Sequence, residues 1–159
     1  VLVPLNVYLV AAKGPAGIAA LSCGIAYDAS IYMGGWTLCA DFEFRSGDWP
    51  LNWGGNRVAW NGATNCQETT LGQYGVHAVA GYFYVYAYST GVMSIVPNYG
   101  PAIEELRVAD CQLRESDVNY VGSVGFGYAT GYNPCWLYGV PVNTTTWGRL
   151  KDLGLGAGQ

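Results

Sequence analysis

"VHAVAGYFYVYAYS", residues 76–89, carries Tyr82, Tyr84, Tyr86 and Tyr88 at every second position, with Phe83 and Val85 between them. A period of two marks a β-strand, because successive side chains leave a pleated backbone on opposite faces. Here neither face is charged. A sandwich strand buries one face and wets the other, and the wet face ordinarily carries charge, Thr or Ser. Two arrangements satisfy the pattern. In one, Phe83 and Val85 enter a core and the tyrosines form an outer surface built for a partner. In the other, the tyrosines point inward and a loop covers Phe83 and Val85. Tyrosine suits a contact surface, since it offers large area at low entropic cost and keeps a hydroxyl for hydrogen bonds at the rim.

The same alternation recurs on either side of this stretch. "VPLNVYLVA" (3–11), "ALSCGIAY" (20–27), "WTLCADFEF" (36–44), a short segment at "RVAWN" (57–61), "VMSIVP" (92–97), "EELRVADC" (104–111), "NYVGSVGFGY" (119–128) and "WLYGVPV" (136–142) all read as strands, separated by Gly, Pro, Asn and Asp. Parity places Trp36, Leu38, Ala40, Phe42 and Phe44 inward, with Thr37, Cys39, Asp41 and Glu43 outward. "VMSIVP" is expected to pair with 76–89 across the "STG" turn. Before Thr145 no helical period appears, so βαβ crossovers are excluded and the sheets should be antiparallel. The expectation is all-β: an antiparallel β-sandwich or jelly roll of about eight or nine strands over residues 1–135. Residues 136–159 then form a C-terminal arm, a strand followed by one or two helical turns with Trp147, Leu150 and Leu153 on one side and Gly154 as the stop. So short a helix needs a surface to dock on.

The chain has 159 residues and a mass of 17.0 kDa, of which 51% are hydrophobic and only 11% charged. That is enough to bury a core, and the low charge suits an extracellular protein. With a net charge of −4 and seven scattered Lys and Arg there is no basic stripe to neutralise phosphates, which excludes nucleic acid as a partner. No apolar run approaches the roughly 20 residues of a membrane helix. Val1 in place of an initiator Met fits a mature product whose signal peptide has been removed.

Several short motifs carry a resemblance. "LNVYLV" (5–10), Gly35-Trp36 with "FEFR" (42–45), Cys66-Gln67, "VADC" (108–111), Cys135 and "TTTWGRLK" (144–151) resemble a group of secreted β-sandwich proteins of uncultured environmental bacteria. The resemblance implies an extracellular location, an all-β fold and paired cysteines. Similar proteins stop just after the Trp-Gly-x-x-Lys stretch, whereas this chain continues as "DLGLGAGQ". Proteins of this kind also look like subunits of extracellular bacterial fibres, in which a sandwich accepts a strand from its neighbour.

Five cysteines in a secreted chain predict two disulfides and one thiol left over. Cys111 with Cys135 would staple the C-terminal strands. Parity puts Cys23 in the core and Cys39 on the outer side, so Cys39 with Cys66 is the second expected pair; a Cys23–Cys39 cross-strand bridge is the alternative.

Little in the sequence points to catalysis. His77 is the sole imidazole and no nucleophile elbow is present. Asp41 and Glu43 share a strand face about 7 Å apart, a spacing compatible with glycoside hydrolysis but equally with solvated outer charges. No residue set predicts a cofactor or a metal site. Trp49 and Trp53, among Gly, Asn and Asp, could stack on sugars or cap one end of the core. Asn143-Thr144-Thr145 is an N-x-T glycosylation acceptor sequence. The function expected from these residues is a non-enzymatic structural subunit of an extracellular filament or surface assembly. Its partners are copies of itself, joined by exchanged terminal segments and the tyrosine face. The alternative is a secreted carbohydrate-binding sandwich.

Overall fold

The computed structural model describes residues 4–14, 16–70, 75–99, 104–127 and 129–132. Twelve strands and no helix occur among them. In chain order they are β1 (Leu5–Gly14), β2 (Ala20–Tyr27), β3 (Ile31–Leu38), β4 (Phe42–Arg45), β5 (Gly55–Ala59), β6 (Val76–Ala87), β7 (Gly91–Val96), β8 (Asn98–Tyr99), β9 (Glu104–Glu105), β10 (Arg107–Ala109), β11 (Glu115–Asp117) and β12 (Ser123–Phe126). The number exceeds the eight or nine expected because long alternating stretches break where the chain changes sheet. Cys135, Asn143, Trp147, Leu150 and Leu153, and with them the proposed arm 136–159, lie outside the described residues.

The protein is an antiparallel β-sandwich. A small sheet has the order β1-β6-β3, and a larger one runs β11-β10-β2-β5-β4, with β7 also on β2 and β12 on β7. The cores of both sheets meet in a cluster of Leu9, Ile25, Val58, Phe83, Val85 and Met93 with the indoles of Trp49 and Trp60. Phe83 is central: its ring centroid lies 4.6 Å from that of Trp36 and 5.3 Å from that of Trp49.

Two sheet changes correct the sequence expectations. Residues 36–44 are not one strand. Leu38 ends β3 in the small sheet, the Cys39 amide still donates to the Ala80 carbonyl (2.9 Å), and by Asp41 the chain donates to Ala59 of the large sheet (3.2 Å). Passing between layers in three residues resets the parity, so Phe42 and Phe44 are exposed rather than buried, Phe44 at 70%. Likewise β7 does not pair with β6. The Tyr88 amide donates to the Ser30 carbonyl (2.8 Å) and the Val92 amide to Asp28 Oδ2 (2.8 Å). The turn between β2 and β3 thus carries the chain across, and β7 pairs with β2 and β12.

The disulfide also differs from expectation. Cys66 is bonded to Cys111, with Cα atoms 5.8 Å apart; neither the Cys39–Cys66 nor the Cys111–Cys135 pairing holds. The cause is the segment 16–19, which pairs on both sides. Ile18 exchanges backbone hydrogen bonds with Gln67 (2.9 and 3.0 Å), while Ala16 accepts from the Cys111 amide (3.2 Å) and Ala19 donates to Ala109 (2.8 Å). Residues 66 and 111 are therefore drawn together over Gly17. Cys39, assigned by parity on a strand that does not continue, is a free exposed thiol, and Cys23 is free and buried.

Candidate functional site

The outer faces of the two sheets differ chemically. That of the large sheet is wet and charged: Arg57 pairs with Glu105 (2.7 Å), and Arg107 with Asp117 (3.0 Å) and Glu115 (3.1 Å). The Glu105 carboxyl is held below the ordinary carboxylate range, chiefly by its hydrogen bond from Arg57. In the small sheet the only Lys, Arg, Asp or Glu across all three strands is Lys13, near the end of β1.

Burial settles which way β6 faces. Phe83 is 1% exposed and Val85 fully buried, whereas Tyr84 is 40% and Tyr88 61% exposed. Tyr82 and Tyr86 are half-buried. Register extends the tyrosines across the sheet, since Tyr8 of β1 stands opposite Tyr82 and Tyr32 of β3 opposite Tyr86. The rings meet in two groups, Tyr8 with Tyr82 (centroids 5.6 Å apart) and Tyr86 with both Tyr32 (6.2 Å) and Tyr84 (5.3 Å). The Tyr86 hydroxyl donates to that of Tyr84 (3.2 Å), and this bond is the main cause of the rise in the Tyr86 pKa. Gly34 is what lets the rings lie down: a Cβ there would sit 3.0 Å from Tyr84 Cδ1. Tyr8 and Tyr32, missed in the sequence reading, join the ladder only through cross-strand register, which no local pattern reveals.

The geometry of this face limits what it binds. The ring planes are inclined to one another by 47°, 53° and 89°. Rings so tilted do not form the flat platform that face-on stacking against a planar sugar surface needs. They do fit interdigitation with the side chains of another protein surface.

Of the two tryptophans considered for sugar stacking, Trp49 is excluded. It is 5% exposed and its ring lies edge-on to Trp36 at 5.2 Å, so it belongs to the core. Trp53 is 57% exposed and touches only the edge of Tyr99 (5.9 Å) among the described rings. Asp41 and Glu43 do not share an open face. Asp41 accepts from the Asn61 amide (2.7 Å) and from Asn65 Nδ2, while Glu43 Oε2 accepts from Trp36 Nε1 (3.0 Å) and Asn56 Nδ2 (3.0 Å). Each carboxylate thus ties a loop or an indole in place. His77 Nδ1 lies 3.0 Å from the Gly75 carbonyl. Among the described residues no helix is long and apolar enough to cross a membrane.

The two free thiols among the described residues should behave differently. Burial pushes the Cys23 pKa up to about 12, leaving almost no thiolate, whereas Cys39 is exposed. A maleimide added to the native protein should label Cys39 within minutes and Cys23 only after denaturation, as read by peptide mass mapping. Equal labelling of both would contradict the buried position of Cys23.

The chain matches no protein-family model, no curated protein and no solved structure.

Proposed function

We propose that the protein is a structural subunit of an extracellular bacterial filament or surface assembly, whose copies join through exchanged terminal segments and pack on the tyrosine face. The observation that carries this reading is the sheet β1-β6-β3, whose outer face presents mutually inclined, touching tyrosines instead of the charges found on the opposite sheet. A contiguous uncharged aromatic surface on one side of a sandwich is the composition of an interface core. The Cys66–Cys111 bond is compatible with an extracellular location. The resemblance of the "TTTWGRLK" region to secreted sandwich proteins supports the same reading.

Negative-stain electron microscopy of the full chain is the test, with a Tyr84→Lys variant and a chain ending at Cys135 beside it. Filaments or sheets are expected from the full chain and none from the shortened one. A Lys at the centre of the tyrosine face should cost roughly 2 kcal/mol per contact, raising the concentration needed for assembly about thirty-fold. Single particles of 17.0 kDa at every concentration would overturn the proposal. If the parent but not Trp53→Ala then bound polysaccharide, carbohydrate binding would take its place.

A further inference from the structure

On the outer face of β6 two phenols are brought closer together than an interface alone requires. Tyr84 and Tyr86 stand two residues apart on one strand. Of the three tyrosine–tyrosine contacts on this sheet, theirs is the one whose hydroxyls are bonded to each other, at 3.2 Å, with the ring centroids 5.3 Å apart and the planes inclined by 89°. The cause lies on the neighbouring strand. The register of β3 shifts between Met33 and Gly35, which leaves Gly34 beside Tyr84 and outside the regular pairing. A Cβ on Gly34 would stand 3.0 Å from Tyr84 Cδ1 and 3.6 Å from Tyr86 Cε2, so both rings lean over that one small patch. Cε2 is a carbon ortho to the Tyr86 hydroxyl, and Cδ1 is bonded to the corresponding ortho carbon of Tyr84. Tyr84 is exposed and Tyr86 half-buried, which leaves both open to a dissolved oxidant.

We propose that this pair is a site of oxidative modification, at which a one-electron oxidant, such as a high-potential metal complex or the oxidised haem of a peroxidase, couples Tyr84 to Tyr86 as dityrosine within one chain. Each phenol gives one electron to the oxidant and its hydroxyl proton to water. The two radicals join through a carbon–carbon bond between ring carbons ortho to the hydroxyls, and the hydrogen on each of those carbons then passes to its oxygen. The pair loses two hydrogen atoms in all, and two equivalents of oxidant are each reduced by one electron. Contact geometry favours this product. A radical on an isolated ring must wait for a second molecule, whereas here the second phenol is already in place, and holding two reactants together raises their effective concentration by orders of magnitude. In the product the hydroxyls flank the new bond side by side, as the 3.2 Å hydrogen bond already sets them. Closing the pair takes rotation of two side chains over Gly34 and leaves the pairing of β6 with β1 and β3 as it is. Unlike the Cys66–Cys111 bond, the link is not undone by thiols. It needs no second copy, so it holds whether or not the chain assembles.

Peptide mapping after oxidation tests this. The full chain, dilute and with its exposed thiols alkylated, is treated with ruthenium(III) tris-bipyridine, photogenerated with persulfate as the electron acceptor, then denatured, reduced and cut with trypsin. Cleavage after Lys13, Arg45, Arg57 and Arg107 puts Tyr8, Tyr32 and the pair Tyr84 with Tyr86 on separate peptides, 1–13, 14–45 and 58–107. The expected product is a monomer with dityrosine fluorescence. Its 58–107 peptide should lack two hydrogen atoms and give no backbone fragments between residues 84 and 86, in a yield unchanged by dilution. Tyr84→Phe and Tyr86→Phe keep the rings and remove one hydroxyl, and each should lower that yield about ten-fold. Tyr120→Phe, exposed but outside the small sheet, should leave it as it is. A main product joining 58–107 to 1–13 or to 14–45 would move the coupling to Tyr8 or Tyr32 and overturn the assignment. Dityrosine confined to covalent dimers, or tyrosine consumed with no dityrosine formed, would overturn the site itself.

Discussion

A Phe83→Ala protein is expected to melt roughly 10 °C below the parent chain, through a loss of about 3–5 kcal/mol. Phe83 is 1% exposed and its ring packs against both Trp36 and Trp49, which themselves meet edge-on at 5.2 Å. Truncation would leave a void bounded by two indoles. Neither can collapse into it freely, because Trp36 Nε1 is held by Glu43 and the Trp49 amide by the Ser46 carbonyl (3.1 Å). Tyr84, the next residue, faces the other way, and Tyr84→Ala should cost under about 1 kcal/mol in a dilute, unassembled sample. Thermal melts followed by circular dichroism compare the two. Similar losses for both would mean that the tyrosine face is covered in the isolated protein.

That contrast between neighbours shows what was legible in the sequence. Alternation at 76–89 located β6 and placed Phe83 and Tyr84 on opposite faces, but did not say which face is inside, since both are apolar. The answer lies in pairing. Phe83 faces inward because β1 and β3 bring Leu9 and Trp36 to the same side, and register between distant segments is absent from a local pattern. The limit appears again at Leu38–Phe42 and at Tyr88–Val92. At both places the chain leaves one sheet for the other: parity carried across the first is wrong beyond it, and the hairpin expected across the "STG" turn at the second does not form, because β7 pairs with β2 and β12. Phe42 and Phe44 were misplaced for the first reason, whereas Cys39, which precedes the crossing, is exposed as its parity implied.

The candidate surface was partly legible for a related cause. Tyr82, Tyr84, Tyr86 and Tyr88 stand together in one strand, so the row was visible; Tyr8 and Tyr32 are contributed by flanking strands and were not. A cleft of about 740 Å³ beside β1, lined by Val7–Ala12 and by Met93, Ile95 and Val124, is further from any sequence signal. It exists because two short strands, β10 and β7, share one side of β2 and widen the large sheet, while the small sheet has three strands among the described residues.

Loss of the Cys66–Cys111 bond should have the other large effect. In the chain-entropy treatment, closing a loop of sequence separation 45 constrains the unfolded chain by about 4 kcal/mol, again roughly 10 °C in melting temperature. The Cys66→Ser, Cys111→Ser protein should show this drop, and reductant should not lower it further; reductant sensitivity abolished instead by Cys39→Ser would show that another pairing operates. Gly17 makes the test more searching. It sits at φ +83°, a left-handed conformation, and a Cβ there would overlap Cys111 Sγ. Gly17→Ala must therefore bear backbone strain of about 1–2 kcal/mol and also displace the disulfide, so its total cost should approach or exceed that of removing the bond. In a Cys66→Ser, Cys111→Ala background the sulfur is gone, and the added cost of Gly17→Ala should fall to the backbone strain alone. The difference between the two backgrounds, read from denaturant midpoints in a double-mutant cycle, measures the contact between residue 17 and the disulfide. An unchanged cost in both backgrounds would show that Gly17 is required only for its backbone angle, and that the sulfur does not lie over it.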